Sequence, residues 1–322
     1  MKNIIPGIEQ KITHILKKIN LKAKVSPKKF IKKTKAKKHR YLSLCTDSQD
    51  KKVIFYARLH KNPDAKEKMK REISFFKKIK KRDFAISKYL PKIYLAKLEK
   101  DFEWFTREYF PSSPLGTNEQ LKEKMKEKDA KLITEAVCQI KDTPLSSLKD
   151  IPLKKFPVKN YLESKNFLPY LLKRKILSKK EAEKVLKLFQ KNTDLIKKEN
   201  KYFSHGDFNL GNLIISNGTL KIIDWESIQI NNLASDIAYF FTHLWQAKKS
   251  IRRELIKTYL KLLSPKEKTA FKKLFPIVIF YLAVGGIETK PSEIKTSLLK
   301  KRKEFFKKLI KKSFSFKELI RI

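Results

Sequence analysis

Glycine is scarce in this chain: there are seven in 322 residues, and none between Gly7 and Gly116. A stretch that long without glycine cannot bring main-chain amides as close to a phosphate as a glycine-rich loop does. Only two cysteines occur, Cys45 and Cys138, far apart and without metal-ligand spacing. That excludes a disulfide framework and indicates no zinc site, so both read as reduced thiols. Acidic residues are outnumbered, 33 against 77 Lys and Arg, for a formal net charge of +44. No apolar stretch reaches the roughly 18 to 20 residues of a membrane span. The longest candidate, Phe275 to Ile287, reads as a buried helix ending in Gly285-Gly286. Met1 to Gln10 lack the apolar core of a signal peptide, so the expected location is cytoplasmic.

What is present suits a folded protein. With 41% hydrophobic and 11% aromatic residues, the chain can bury a sizeable core as one large domain or two closely joined lobes. The positive charge would attract nucleic acid, anionic lipid or polyphosphate. Nearly all of it is Lys spread evenly along a chain also rich in Ile, Phe, Leu and Asn, a pattern of AT-biased coding. Specific base and phosphate recognition favours Arg. Solvated lysine faces are therefore preferred to a nucleic-acid surface, which stays open as an alternative.

Pro6 to Asn20 place Ile8, Ile12, Ile15, Leu16 and Ile19 at helical spacing, a short amphipathic helix to pack on the main fold or bind a partner. From Lys28 to Phe110 the runs are short and strand-like: Phe30-Ile31, Tyr41 to Cys45 and Val53 to Leu59. A charged helix follows from about Ala65 to Lys80, then strands at Ile93 to Leu98 and Trp104 to Tyr109. Beyond the linker Pro111-Ser112-Ser113-Pro114 the pattern is mostly helical, interrupted by a hairpin at 213 to 223.

Chemistry concentrates in Ser204-His205-Gly206-Asp207-Phe208-Asn209-Leu210-Gly211-Asn212 and the residues after it. Asn217-Gly218 between two apolar runs predicts a type I′ hairpin, whose two central residues need positive φ. Counting back from that turn pairs Ser216 with Thr219 and sets Asn212 opposite Ile223, so Asn212 and Asp224 leave the hairpin side by side. Two oxygen-bearing side chains there suit Mg²⁺, which takes few protein ligands. Asp207, five residues before Asn212, can accept the proton of an attacking hydroxyl. His205 and Gly206 fit supporting roles, a hydrogen-bonding brace and a position where a side chain would collide.

His205-Gly206-Asp207 with Asn212, and Ile223-Asp224-Trp225-Glu226, resemble the aminoglycoside phosphotransferase and choline kinase group, relatives of protein kinases. The resemblance implies an α+β, two-lobed protein-kinase-like fold, with a small β-rich N-lobe and a larger helical C-lobe. Its boundaries here are an N-terminal extension at 1–27, the N-lobe at 28–110 and the C-lobe at 111–322. It implies Asp207 as catalytic base, Asn212 and Asp224 as Mg²⁺ ligands, and Asp236 as a brace for the catalytic loop. In the small lobe, kinases place a Lys on the third strand and a Glu on the next helix to hold the nucleotide phosphates. The fitting residues are Arg58, where the family has Lys, and Glu72, with Lys61 a further candidate. Arg keeps the charge and can grip phosphate with two bonds, but is bulkier. Where many kinases carry a glycine loop, this chain has Lys32 to Arg40, whose lysines could substitute. Thr106 to Phe110 look like the kinase hinge, with the main chain at Glu108 and Phe110 facing adenine.

Between Tyr202 and Ala247 the charged residues are Asp207, Asp224, Glu226 and Asp236 against Lys221 alone, an acidic segment that suggests metal coordination. The expected activity is an ATP- and Mg²⁺-dependent phosphoryl transfer to a small hydroxylated metabolite. That acceptor is read as neutral, zwitterionic or singly charged, with Glu226 the carboxylate left to meet an ammonium. Two rivals stand beside it. One is a catalytically weak kinase-like nucleotide-binding protein, motivated by Arg58 and the lysine loop. The other is a basic protein that binds nucleic acid or an anionic surface.

Overall fold

The computed structural model describes residues 4–34, 39–80, 84–99, 102–117, 120–121, 125–288 and 296–322. The chain divides into two compact units: Met1–Pro111 with Leu148–Pro152 and Ile222–Ser227, and Ser112–Ser147 with Leu153–Lys221 and Ile228–Ile322.

In the first unit, α1 (Ile8–Lys18), β1 (Lys22–Ala23) and α2 (Pro27–Thr34) precede β2 (Arg40–Thr46) and β3 (Lys52–Arg58). Then come α3 (Pro63–Lys80), β4 (Ile93–Leu98) and β5 (Glu103–Glu108). The strands form one antiparallel sheet in the order β1-β2-β3-β5-β4. Alternation assigns its faces. Tyr41 and Cys45 of β2, Val53, Phe55 and Ala57 of β3, and Trp104 of β5 form one core with Ile8, Ile12 and Leu16 of α1. The apolar stripe of the N-terminal helix therefore covers the sheet. The other face carries Arg40, Leu42, Tyr56, Arg58 and Phe105, since Leu42 pairs with Tyr56 and Tyr56 with Phe105. There α3 packs, Phe76 against Phe105 at 5.7 Å between ring centres.

One expected strand is a helix. Phe30-Ile31 lie in α2, because Pro27 presets the first helical turn and Ser26 accepts the Lys29 amide through its Oγ at 3.3 Å and the Phe30 amide through its carbonyl at 2.9 Å. Phe30 then packs edge-on to Tyr41 at 5.2 Å. Lys35 to Lys38 of the lysine-rich stretch lie outside the described residues.

The second unit is mainly helical: α4 (Glu127–Lys141), α5 (Val158–Glu163), α6 (Leu168–Lys173), α7 (Lys179–Lys198), α8 (Ser235–His243), α9 (Lys249–Leu262), α10 (Pro265–Glu288), α11 (Thr296–Lys312) and α12 (Phe316–Leu319). Between them lie β6 (Lys154–Lys155), β7 (Tyr202–Ser204), β8 (Leu213–Ser216), β9 (Thr219–Ile222) and β10 (Gln229–Asn231). β6, β10 and β7 make a three-stranded sheet in that order, and β8 with β9 the hairpin. Its turn has φ of 50° at Asn217 and 74° at Gly218, as a type I′ turn demands. Helix α10 is long and apolar enough to cross a membrane by length and composition, contrary to the count made on the sequence. Yet 61% of its most apolar window is buried, with Phe271, Phe275, Ile277 and Phe280 in the core, which is how the central helix of a globular unit behaves. Both cysteines are buried and free.

Candidate active site

The loop from β7 to β8 is built around Asp236, at the start of α8. Its Oδ1 accepts the Ser204 hydroxyl at 2.8 Å and the Gly206 amide at 3.1 Å, and its Oδ2 accepts the His205 amide at 2.8 Å. Gly206 has φ of 78°, a left-handed conformation that a side chain would strain. Three donors on one buried carboxylate set the path of the loop just before Asp207. Burial is the largest influence on Asp236 and raises its pKa, while His205 and these hydrogen bonds oppose the rise.

Asp207 is held on both oxygens. Oδ1 accepts Asn209 Nδ2 at 2.8 Å and the Tyr239 hydroxyl at 3.2 Å, and Oδ2 accepts Asn212 Nδ2 at 3.1 Å. Its amide donates to His205 Nδ1 at 3.3 Å, which places the imidazole proton on Nε2. His205 is fully buried, edge-on to Phe208. It orients the loop and does not face solvent. Asn212 also donates Nδ2 to the Asp207 carbonyl at 2.8 Å, so its Oδ1 is the atom left to act as an acceptor. Asn209 and Tyr239 were not singled out in the sequence. Asn209, two residues after Asp207, closes its own turn by accepting the Gly211 amide at 2.8 Å, a local asparagine signal. Tyr239 carries no comparable mark, since its role depends on α8 lying against the loop.

In the first unit, residues 222–227 return to lie against α3. The Trp225 amide donates to Glu72 Oε1 at 3.0 Å, its indole donates to the Ile222 carbonyl at 2.8 Å, and its ring stacks on Phe75 at 4.9 Å. Arg71 Nη1 donates to the Glu226 carbonyl at 2.8 Å. Asp224 adopts a left-handed φ of 64°, which Asp tolerates better than most residues. Glu72 Oε2 is buried without a hydrogen-bond partner among the described residues. Burial, then the nearby Asp224 charge, push the Glu72 carboxyl up to about 7, against the pull of Arg40 and Arg107.

The phosphate-binding residues differ from expectation. Arg58 is buried and engaged, its Nε against the Glu103 carboxylate and its Nη1 on the His60 carbonyl. Both partners of that ion pair are 2% exposed, so Arg58 braces the sheet. Lys61 is exposed beyond the strand. The guanidinium at the acidic segment belongs to Arg40, the first residue of β2 and the last of the lysine-rich stretch. It reaches Asp224 Oδ1 at 3.2 Å and also contacts the Glu226 carboxylate and the Tyr56 hydroxyl. Glu226 is therefore taken by Arg40 and does not stand free for an acceptor ammonium. Burial lifts its carboxyl to about 7. At the expected hinge, the Glu108 amide already donates to the Lys92 carbonyl at 2.8 Å and its carbonyl accepts Arg107 at 3.1 Å. The main chain of Phe110 makes no hydrogen bond to another described residue.

Residues 44–269 match the model of the phosphotransferase enzyme family, the aminoglycoside phosphotransferase type. Solved structures share the fold at low identity. The GDP complex of wild-type aminoglycoside 2′-phosphotransferase-IIIa is 12% identical with a TM-score of 0.56, covering 94% of this chain and 97% of that one. Amicoumacin kinase, solved in complex with AMP-PNP, Ca²⁺ and Ami, is 11% identical with a TM-score of 0.56, covering 96% of each. Choline kinase from Cryptosporidium parvum is 14% identical with a TM-score of 0.52, covering 94% of each. The fold is thus the protein-kinase-like one. No curated protein sequence matches the chain.

Proposed function

Because the chain belongs to the phosphotransferase enzyme family, we propose that it moves the γ-phosphoryl group of ATP, with Mg²⁺, onto a hydroxyl of a small cytoplasmic metabolite. The observation that carries this reading is the Asp207 carboxylate, fixed by Asn209, Asn212 and Tyr239 on a loop braced by Asp236. A carboxylate so held needs no reorganisation to take a proton from an incoming hydroxyl.

Each of the two candidate ligands keeps an oxygen suited to a divalent ion. Asn212 spends its amide hydrogens on Asp207 and keeps Oδ1, and the Asp224 side chain is 31% exposed. Few protein ligands are what Mg²⁺ takes when phosphate and water complete its shell. We assign Asn212 and Asp224 as its ligands; when bound, the ion would neutralise charge on the phosphates. Leu42, 45% exposed on the α3 face of the sheet beside Tyr56, offers an apolar surface to a base, and the main chain of Phe110 is the hinge group left to meet it.

Asp207 acts in this scheme by orienting the acceptor hydroxyl through a hydrogen bond and receiving its proton as the phosphoryl group transfers. Asp207→Asn is expected to keep nucleotide affinity and to lower turnover by about two to four orders of magnitude. ATP consumption on a metabolite panel measures it, and near-full turnover by the variant would remove Asp207 from the role. The weak-kinase alternative draws support from Arg58, whose charge is spent on Glu103. It is distinguished by nucleotide binding without transfer to any acceptor.

A further inference from the structure

We propose that Arg40, on β2, is the cation that holds the nucleotide phosphates in this protein, in place of a lysine on β3. The proposal rests on the nucleotide-dependent reading above and concerns which residue of this chain does the work.

Strand β3 carries two cations, and neither is placed for the phosphates: Lys52 is exposed at the far end of the strand, its Nζ 6.0 Å from the Tyr109 ring centre, and Arg58 is already paired. On the sheet face that packs against α3 it presents Lys52, Ile54, Tyr56 and Arg58 in alternation. Arg58 is locked to Glu103 in a nearly inaccessible pair, and extracting it would leave Glu103 buried and uncompensated. Tyr56 stands one step nearer the middle of the strand, with a hydroxyl and no charge. The first residue of β2 makes up the difference. Arg40 lies across from Arg58 in register, and its side chain reaches the Tyr56 hydroxyl, with its guanidinium carbon 5.2 Å from the Tyr56 ring centre.

Two independent features mark this as the anion-facing cation. First, Arg40 points at the acidic segment, contacting both Asp224 and Glu226. Its side chain remains 23% exposed, so the guanidinium is reachable by a ligand where that of Arg58 is not. Second, the α3 carboxylate expected to pair with the phosphate-holding cation feels Arg40: Glu72 has a buried oxygen without a hydrogen-bond partner among the described residues, and Arg40 is the cation that most favours its charged form. A planar guanidinium has five donors in a fixed fork. Its Nη1 lies on Tyr56 and Asp224 and its Nη2 on Glu226, so a phosphate would take the place of a carboxylate on the fork, through paired, charge-assisted bonds. Tyr56 thereby becomes a positioning residue for Arg40.

The test is equilibrium binding of ATP, ADP and adenosine to the full chain, by calorimetry, with and without Mg²⁺. Wild type should prefer ATP and ADP to adenosine. Arg40→Ala should weaken ATP and ADP by about 10- to 100-fold, the scale of a lost hydrogen bond to a charged group, and leave adenosine within about twofold. The double variant Arg40→Ala with Tyr56→Lys, which puts a cation nearer the middle of β3, should recover at least part of the lost ATP affinity. Arg40→Lys should fall between wild type and Arg40→Ala, and supplies the comparison if the alanine variant folds poorly. Unchanged ATP affinity in Arg40→Ala, or equal losses for ATP and adenosine, would overturn the proposal while leaving the kinase reading in place. A wild type that binds none of the three nucleotides would overturn both.

Discussion

Replacing Asp236 by Asn separates the geometry of the Asp207 loop from the chemistry proposed for it. Asp236 is 6% exposed and accepts three donors. An asparagine of the same shape keeps one acceptor oxygen. If that oxygen stays on Ser204 and Gly206, the new NH₂ faces the His205 amide across 2.8 Å, two donors with nothing between them. Turning the amide over abandons the other two bonds instead. Leaving one buried donor unsatisfied costs about 1 to 3 kcal/mol, and the remaining bonds weaken by about 1 kcal/mol each when their acceptor loses its charge. Against this, burial disfavours the carboxylate, as its raised pKa shows, and a neutral amide recovers part of that. The net loss is about 2 to 3 kcal/mol, a fall in Tm of about 5 °C for a chain of this size. The functional effect should exceed the structural one, because a shift of about 1 Å in a reacting group can cost about 100-fold in rate. Differential scanning calorimetry and steady-state kinetics on the same preparation read both, with nucleotide affinity expected within about threefold of wild type. A variant with unchanged Tm and unchanged kcat would show that Asp236 does not hold Asp207 in place.

Two other substitutions test the first unit. The Glu72 carboxyl is raised to about 7 by burial and by Asp224, so its contribution to stability is fully present below about pH 4.5 and is lost as pH rises through 7. Glu72→Gln should therefore gain on wild type between pH 5 and 8, by up to about 3 kcal/mol, in urea-unfolding curves of the nucleotide-free protein; a difference independent of pH would refute the assignment. Arg58→Ala strips one partner from a pair that is 2% exposed on both sides and should cost about 3 to 5 kcal/mol. Folded Arg58→Ala, or the double variant Arg58→Met with Glu103→Leu if the single one does not fold, should bind ATP like wild type; a selective loss of ATP over adenosine would return Arg58 to the phosphates.

Much of the site was legible where the signal is local. Gly206 and Asp207 sit in the loop read from the motif, and the Asn217-Gly218 turn has the positive φ values that its residues dictate. The strand-like run Ile93 to Leu98 coincides with β4, and the spacing of Ile8, Ile12 and Leu16 marked the face that α1 buries. The difference at α2 is also local: Ser26 and Pro27 are a helix start, while the apolar pair Phe30-Ile31 taken alone suits a strand.

Motif, turn and periodicity are properties of residues within a few positions of one another, so the sequence by itself determined the loop that carries Asp207, the hairpin and most elements of the kinase-like layout. Which cation meets which carboxylate was decided only by the tertiary structure. Arg58 and Glu103 become partners because β5 pairs beside β3, and Arg40 meets Asp224, 184 residues away, because residues 222–227 return to α3. An ion pair depends on the distance between two charged atoms, and for residues so far apart in the chain that distance is set by strand order and helix packing, on which neither residue's sequence neighbours bear.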